Sequence, residues 1–229
     1  MRQSDWKLIR ALPLFAAMSE ENFEKLITAA FLQRFPLHTI LISEGDLPDF
    51  LHIVVEGSVE MFCSHNGHET TIDIMRPVTT FILAAVLRDE PYLKSARTLS
   101  PAQILMIPAQ TVREVFGRDA AFARAIVNEL AERYRTVVRS LKNEKLRTSA
   151  ERLANWILQA DAQQGHRHSV ELAFDKRTLA SRLGMTPENL SRNLALLTKY
   201  GVKTSGRDIL IEDSSALERF AKPNALIDG

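Results

Sequence analysis

The spacing of hydrophobic positions changes twice along the chain and divides it into three parts. Residues 4–31 alternate short helical patterns with a loop, and Ser19 stands where it can cap the second helix. After Pro36 the period falls to two, in short β-branched and aromatic runs separated by turn residues. From about Asp119 onwards the period is that of an α-helix again. The sequence therefore predicts helices, then a set of strands, then helices.

Six short strands are predicted in the middle part, and strands at this spacing build a barrel or a jelly roll. The pair Asn66-Gly67, between the third and fourth strands, suits a two-residue hairpin turn. The predicted strands span residues 38–42, 50–55, 58–63, 70–75, 96–99 and 103–107.

One long helix is predicted over residues 119–145, which contain no Gly or Pro and are rich in Ala, Leu, Glu and Arg. Apolar residues recur along it at steps of three and four, a narrow stripe that is typical of a coiled-coil seam. We therefore expect it to pair with the same helix of a second chain; an amphipathic helix lying on its own domain is the alternative. The stripe consists of Phe122, Ile126, Leu130, Tyr134, Val137 and Leu141.

Two capped helices separated by a glycine turn are predicted near the end of the chain. Asp175 is the cap of the first and Thr186 of the second, and Pro187 takes the first helical position, where its missing N–H costs nothing. The turn between them contains Gly184. Helix, short turn, helix is the layout of a helix-turn-helix unit. Two short strands around residues 205–208 add a predicted wing.

Composition excludes several classes of function. The 229 residues are 45% hydrophobic and 25% charged, which is ordinary for a chain of two modest domains. We expect a cytoplasmic protein, because the sequence has neither a membrane-length apolar run nor the apolar core of a signal peptide. A net charge of +1 excludes a broadly basic protein but leaves room for a compact DNA-reading surface.

The single cysteine, Cys63, excludes an intrachain disulfide and a cluster held by four thiolates. Because the sequence contains none of the common catalytic motifs, we expect no enzyme.

Three segments resemble the CRP/FNR superfamily of bacterial transcription regulators, and the resemblance covers nearly the whole chain. They are Glu44-Gly45-Asp46, residues 53–59 (Ile-Val-Val-Glu-Gly-Ser-Val) and residues 179–192, from Leu179 to Arg192. The resemblance implies an α+β fold with an N-terminal β-roll sensor of the cyclic-nucleotide-binding, jelly-roll type, a long dimerisation helix and a C-terminal winged helix-turn-helix domain. We place these parts at residues 1–118, 119–146 and 147–229.

The resemblance also implies the partners of the protein. They are a second copy of the chain, a pseudo-palindromic double-stranded DNA site and RNA polymerase, with no membrane involved. We expect an activator, with repression as the open alternative. Within the superfamily the chain is similar to FtrB-like or HbaR-like regulators.

The first residues of the second predicted helix occupy the positions that meet base edges in a major groove. Glu188 can accept from a cytosine amine, Arg192 can donate two bonds to a guanine, and Ser191 can reach a base or a phosphate. The Glu-x-x-Ser-Arg pattern is similar to that of FNR-like regulators, which implies half-sites close to TTGAT. A bare surface pair between Glu188 and Arg192 is the alternative. The other candidate DNA contacts are Thr186, Pro187, Arg177, Lys199, Lys203 and Arg207.

The nucleotide-binding members carry Phe-Gly-Glu-Leu and, about ten residues later, Arg-Ser-Ala. This chain has Ile82 and Leu83 in place of the Gly and Glu, and Lys94 in place of the Arg. The close backbone approach, the ribose acceptor and the bidentate fork are therefore missing. We expect neither cyclic AMP nor, because the family's cluster cysteines are absent, an iron–sulfur cluster.

The sequence leaves the effector unknown, and an apolar small molecule and haem are the candidates. The expected pocket consists of Phe81, Ile82, Leu83, Lys94, Ser95 and Tyr134. Plain core filling is the alternative for its apolar residues, and a regulator controlled by its abundance or by a protein partner is the alternative function. The candidate haem ligands are His38 and His52 on predicted strands and Cys63, His65 and His68 around the hairpin.

Overall fold

The computed structural model describes residues 3–228, apart from the side chains of residues 3–5 and residue 8. The chain forms two compact units, Met1–Arg133 and Tyr134–Gly229. The boundary between these units falls inside the long helix α5, Ala120–Leu146. The three-part division at residues 118 and 146 remains a prediction about domain organisation.

The first unit places a strand-rich roll between helices. Its helices are α1 (Gln3–Arg10), α2 (Glu20–Ala29), α3 (Leu83–Arg88), α4 (Ala109–Phe116) and the first half of α5. Its strands are β1 (Phe31–Phe35), β2 (Ile40–Ile42), β3 (Phe50–Glu56), β4 (Val59–His65), β5 (His68–Met75), β6 (Thr79–Phe81), β7 (Ser95–Thr98) and β8 (Ala102–Pro108). All six predicted strands are present, and β1 and β6 are additional.

Two four-stranded antiparallel sheets form the roll, with strand orders β1-β8-β3-β6 and β2-β7-β4-β5. The hairpin between β4 and β5 closes at the pair His65 and His68. Asn66 and Gly67, which form its turn, both have positive φ, at 51° and 77°. This is the backbone that a two-residue hairpin needs, so the predicted Asn-Gly turn is confirmed.

Strands β3 and β8 of the first sheet are buried on both faces. Leu51 and Ile53 of β3 belong to the core beneath the helices, whereas Val54 belongs to the core between the two sheets. Strand β8 behaves in the same way, with Leu105 on the helix side and Ile104 on the sheet side. A strand that is buried on both faces reads as a continuous apolar run and loses the alternation of a half-exposed strand.

The start of α5 packs against its own unit. Phe122 and Ile126 are fully buried, and the Phe122 ring stacks on Phe15 with 6.1 Å between centroids. Leu130 is partly buried against the same core. Phe122 and Ile126 are therefore unavailable to a second chain, which corrects the predicted seam at its N-terminal end. The physical reason is that the helical layer over the first sheet covers the first turns of α5.

The apolar residues that α5 exposes form a slightly different stripe. Val127 is 57% exposed and Tyr134 70% exposed. The spacing of this face is four, three, four and three, which is the heptad spacing of a two-helix seam. The exposed stripe consists of Val127, Ala131, Tyr134, Val138 and Leu141, with Val137 beside it.

The second unit combines helices with a small sheet. Its elements are the second half of α5, α6 (Ser149–Gln163), β9 (Ser169–Glu171), α7 (Lys176–Arg182), α8 (Pro187–Leu197), a 3-10 turn (Thr198–Tyr200), β10 (Val202–Ser205), β11 (Asp208–Ile211), α9 (Ser214–Ala221) and α10 (Ala225–Asp228). Strands β10 and β11 form the predicted wing, and β11 also pairs with β9. Gly201 ends the helical stretch at φ +79°, and a Cβ there would lie 2.6 Å from the backbone nitrogen of Asp213. The predicted order of roll, long helix and winged helix-turn-helix is confirmed.

No helix within residues 3–228 is both long enough and apolar enough to cross a membrane.

Candidate nucleic-acid interface and sensor site

The start of α8 is held by the cap that its sequence predicts. The Thr186 hydroxyl accepts from the backbone N–H of Asn189 at 3.3 Å, and Pro187 occupies the first helical position. Helix α7 begins in the same way, because the Asp175 carboxylate accepts from the N–H of Thr178 at 2.7 Å. These caps determine where both helices of the helix-turn-helix begin.

Helix α8 has one buried face and one exposed face. Leu190, Leu194 and Leu197 are buried, and the buried Asn193 donates to Ser149 Oγ at 3.0 Å. The opposite face is exposed and carries the predicted base-reading residues Thr186, Pro187, Glu188, Ser191 and Arg192. A helix that is fixed by its apolar side and open at its N-terminal polar side can enter a major groove.

Glu188 and Arg192 form no ion pair with each other in the described part of the chain. The pKa of the Glu188 carboxyl lies below its usual range because that group accepts hydrogen bonds from its own backbone N–H and from Thr186, with a smaller contribution from the charge of Arg192. The Ser191 hydroxyl donates to the backbone oxygen of Pro187 at 3.0 Å. The guanidinium of Arg192 is therefore the least constrained of the three groups.

The four predicted phosphate contacts are exposed but differ in how firmly they are held. Lys203 pairs with Glu212 at 2.7 Å, and Arg207 donates to the backbone oxygen of Leu172 at 3.0 Å. Arg177 lies on the first turn of α7. Lys199 lines a surface groove of about 430 Å³ that also contains Arg219 and Lys222.

The segment expected to line an effector pocket is largely core. Phe81 is 3% exposed and packs between the sheets, while Leu83 is 5% exposed and packs under the helices. Ile82 lies between them at φ 60°, as the residue before α3. A β-branched residue is strained in this left-handed conformation, which glycine adopts freely. The chain thus keeps a glycine-like backbone while the side chain fills the space.

Lys94 and Ser95 face a more polar part of the roll. Burial lowers the pKa of Lys94, and the charges of Asp73 and Cys63 oppose that shift. The Ser95 hydroxyl accepts from the backbone N–H of Glu44 at 2.9 Å. Tyr134, the last expected pocket residue, belongs to the second unit and is exposed there.

Two residues of α5 that the sequence did not single out tie the helix to the roll. Arg133 donates from Nη2 to the backbone oxygen of Thr80 at 3.2 Å and from Nε to Glu129 at 3.1 Å. Glu129 also accepts from the Thr80 hydroxyl at 3.2 Å. Glu129 and Arg133 are four residues apart, a spacing that by itself indicates only a surface pair on a helix. Their partner Thr80 on β6 lies about 50 residues away in sequence, so no local pattern revealed it.

The candidate haem ligands do not gather at one place. His38, predicted on a strand, lies in an exposed turn with φ 63°, because the chain bends between β1 and β2 before pairing resumes. His52 is on β3 as predicted; burial lowers its pKa to about 4, its Nδ1 lies 3.1 Å from the backbone oxygen of Phe50, and its ring stacks on Phe81.

The hairpin candidates lie on the paired strands β4 and β5. Cys63 donates to the backbone oxygen of Leu93 at 3.4 Å, and burial raises the pKa of its thiol. His65 and His68 are exposed at the hairpin end. Among the described residues, no group of three or more His, Cys, Asp or Glu side chains could hold a metal ion. His52 is 3% exposed and its ring packs against the rings of Phe50 and Phe81, so a haem iron could reach it only if the core opened.

Comparisons with known proteins agree with this geometry. Residues 32–119 match the family described as cyclic nucleotide-binding domain, and residues 151–220 match the Crp-like helix-turn-helix domain. The chain is 23% identical over 215 residues to the cyclic AMP receptor protein of Thermus thermophilus, covering 93% of this chain and 98% of that protein. It is 26% identical over 198 residues to the nitrogen fixation regulation protein FixK of Azorhizobium caulinodans, covering 81% and 77%. The solved structure of FixK2 from Bradyrhizobium japonicum shares the fold, with a TM-score of 0.73 and 20% identity over 86% of this chain and 99% of that chain.

A sensor roll followed by a winged helix-turn-helix defines a DNA-binding transcription regulator, which is not an enzyme. The chain belongs to the CRP/FNR family of such regulators. Members of this family bind DNA as dimers.

Proposed function

We propose that this chain is a cytoplasmic, homodimeric regulator that reads a pseudo-palindromic operator with α8 and responds to an effector other than cyclic AMP. The observation that carries the DNA proposal is the N-terminal face of α8, where Glu188, Ser191 and Arg192 are exposed while three leucines on the other face are buried. Half-sites close to TTGAT suit this set, because glutamate accepts from cytosine N4 and arginine donates to guanine O6 and N7.

The exposed stripe of α5, from Val127 to Leu141, supports the homodimer. Five side chains at heptad spacing stand in solvent on a helix of 27 residues. Burying such a stripe against its copy removes apolar surface from water and leaves the charged flanks exposed. The resulting twofold axis matches a pseudo-palindromic site.

The loss of cyclic AMP binding is supported by Ile82 and Leu83. Ile82 keeps the left-handed backbone but carries a branched side chain where a phosphate would need close approach. Leu83 is buried in the helix-side core and offers no acceptor to a ribose. The lysine at position 94 keeps one positive charge in the roll, so an apolar molecule bearing one anionic group is the effector class that we favour.

Regulation without any effector is the second candidate function. It is favoured by the packing of Phe81 in the core between the sheets and of Leu83 in the core beneath the helices, because both side chains would have to move to admit a ligand. The amount of protein or a protein partner would then set the response.

The finer parts of the proposal rest on the sequence pattern alone. They are placement near FtrB-like or HbaR-like regulators, activation rather than repression, and contact with RNA polymerase.

Selection of bound DNA from a randomised duplex library tests the DNA proposal without assuming an operator. We expect recovered sequences to contain two inverted half-sites related to TTGAT, with their centres about 10 base pairs or a multiple apart. Recovery of unrelated sequences, with no inverted repeat, would contradict both the dimer and the role of α8.

Thermal unfolding with added ligands tests the effector proposal, because a ligand that binds the native state raises the melting temperature. Cyclic AMP should leave the transition unchanged, and apolar carboxylates should raise it. Haem, titrated in the same assay and followed by its absorption, should give no stoichiometric band. Stabilisation by cyclic AMP would overturn the argument from Ile82 and Leu83.

A further inference from the structure

The junction between α5 and α6 is closed by a buried ion pair. Arg147 lies in this junction, and its Nη1 and Nη2 atoms each lie 2.6 Å from one carboxylate oxygen of Asp228 on α10. The two side chains are only 7% and 14% exposed. Arg147 also donates to the side-chain oxygen of Asn143, on the last turns of α5, at 3.1 Å. A two-bond pair between a planar guanidinium and a carboxylate fixes orientation as well as distance.

Helix α10 is anchored to both sides of the junction. Lys142 on α5 donates to the backbone oxygen of Leu226 at 3.0 Å. Gln159 on α6 donates to the backbone oxygen and to the carboxylate of Asp228, both at 3.3 Å. The Asp228 carboxylate also accepts from the N–H of Asn224 at 2.7 Å. The last helix thus connects the end of α5 to the middle of α6.

A second set of hydrogen bonds continues from the junction to the helix-turn-helix. Arg152 on α6 donates to the backbone oxygen of Arg147 at 3.0 Å. Its Nε donates at 3.0 Å to the backbone oxygen of Leu183, and its Nη2 reaches the oxygen of Gly184 at 3.4 Å. Leu183 and Gly184 form the turn before α8. One contiguous network therefore runs from the exposed half of α5 to the start of the DNA-reading helix.

We propose that Arg147 and Asp228 are positioning residues for operator recognition, because their ion pair sets the angle between the dimer-forming half of α5 and helix α8. Both of these elements lie in the same compact unit, Tyr134–Gly229. In a dimer joined through α5, that angle determines the distance between the two copies of α8. The distance must match one turn of DNA for both half-sites to be read at once. This inference rests on the proposed DNA-binding function.

The first test measures the angle and needs no DNA. Spin labels at Glu144→Cys on α5 and Ala195→Cys on α8, both exposed positions, are introduced into a Cys63→Ser background. Labelled protein is diluted with unlabelled protein, so that only distances within one chain contribute. The parent should give one narrow distance distribution, and Asp228→Ala and the milder Asp228→Asn should broaden or shift it. An unchanged distribution in both variants would overturn the proposal.

The second test measures spacing selectivity on the selected operator, with one or two base pairs inserted between the half-sites. The parent should prefer one spacing strongly. Asp228→Ala should lower affinity at that spacing by roughly 2- to 30-fold, the range produced by mutations along a coupling network, and should flatten the preference. Glu218→Gln, an exposed carboxylate-to-amide change on α9, is the matched control and should keep the parent profile.

The two tests distinguish the positioning role of the Arg147–Asp228 ion pair from the DNA-binding function. A parent that binds no operator, while its Asp228 variants still broaden the distance distribution, would refute the proposed function and leave the positioning role intact. A parent with clear spacing selectivity that Asp228→Ala and Asp228→Asn retain in full would refute the positioning role alone. Dimerisation of each variant, checked by sedimentation, shows that a change in affinity does not arise from dissociation.

Discussion

Arg133 of α5 donates a hydrogen bond to the backbone oxygen of Thr80, 3.2 Å away, and so ties the long helix to strand β6 of the sensor roll. The Glu129 carboxylate accepts from both residues and completes the contact. Strand β6 ends at Phe81 and is followed by Ile82, in the segment that we expected to line the effector pocket. A conformational change in that segment would therefore act, through these hydrogen bonds, on the helix that we expect to join the two subunits.

Loss of the Arg133 side chain should loosen this attachment. Because the side chain is 37% exposed, we expect Arg133→Ala to cost only about 1 kcal/mol of unfolding free energy, a value typical of a partly exposed hydrogen bond. Urea denaturation of the whole protein measures it. Arg133→Lys, which keeps the charge but not the two-directional donor geometry, should recover less than half of the loss. Full recovery by lysine would show that charge alone matters there.

Asp119 should be a major determinant of stability in the first unit. One carboxylate oxygen accepts from the N–H groups of Ala121 and Phe122 at the start of α5, and the other accepts from Ser19 and Asn22 at the start of α2. Asp119→Ala removes the cap of α5 and the acceptor that holds Ser19, the cap of α2, and it leaves the buried N–H of Phe122 without its side-chain partner. We expect a loss of about 2–4 kcal/mol by urea denaturation.

Asp119 should also make the unfolding free energy depend on pH in the acidic range. Burial by itself would raise the pKa of Asp119, but the hydrogen bonds from Phe122, Ser19 and Asn22 outweigh it and hold the pKa well below the usual range. Because the folded pKa lies below the unfolded one, the stabilisation is fully present above about pH 4 and is lost as the pH falls further. Unfolding free energy measured from pH 5 down to pH 2.5 should fall less steeply in Asp119→Asn than in the parent.

His52 should destabilise the protein in mild acid. Burial lowers its pKa from 6.5 to about 4, so the native state holds a neutral imidazole where the unfolded chain binds a proton. Its contribution to the unfolding free energy is therefore complete above about pH 6.5. That contribution decreases by up to about 3 kcal/mol as the pH falls towards 4. His52→Phe, which keeps an aromatic ring against Phe81, should remove this part of the pH dependence. Equal slopes for variant and parent between pH 6.5 and 4 would contradict the burial of a neutral histidine.

Arg192 should carry discrimination between operator and random DNA. Arg192→Ala is expected to lose roughly 1–3 kcal/mol of specificity, since a bidentate contact to guanine is removed. Competition binding on the selected operator and on a scrambled duplex measures the ratio directly. Arg167→Ala, which removes the same charge from an exposed loop outside the helix-turn-helix, is the control. If both variants lose affinity equally on both duplexes, Arg192 contributes only charge.

Tyr134 and Ile126 should respond differently to the same substitution. Tyr134→Asp places a charge on the exposed stripe, so the protein should stay folded but become monomeric and bind the operator weakly. Ile126→Asp places a charge in the core of the first unit, where it is fully buried, and should unfold that unit. Sedimentation velocity and circular dichroism separate the two outcomes. A folded dimer in Tyr134→Asp would remove that residue from the seam.

Local features of this chain could be predicted because they depend on neighbours in sequence. The caps Thr186 and Asp175, the turn at Asn66-Gly67 and the length of α5 all follow from propensity and short-range hydrogen bonds. The division into a strand-rich and a helical part follows from hydrophobic periodicity. The same reasoning located the exposed face of α8, since its buried leucines recur at helical spacing.

What the local pattern could not decide was which partner each apolar or charged residue would meet. Phe122 and Val127 belong to one amphipathic helix, yet one is buried in its own unit and the other is exposed, because only the packed helical layer determines how α5 is rotated. Strand β1 depends on pairing with β8, whose residues lie 67 to 75 positions later in the sequence. His38 lies in a turn between β1 and β2 instead of on the predicted strand.

The charged contacts show the same limit most clearly. Arg147 and Asp228 are 81 residues apart, and Arg133 and Thr80 are 53 apart, so no local spacing relates them. The sequence by itself determined the order of the elements, their caps and the exposed face of α8, because these depend on nearby residues and on period. The tertiary structure alone decided the rotation of α5, the filling of the expected pocket and the ion pair at the α5–α6 junction, because burial and ion pairing arise only when distant segments pack together.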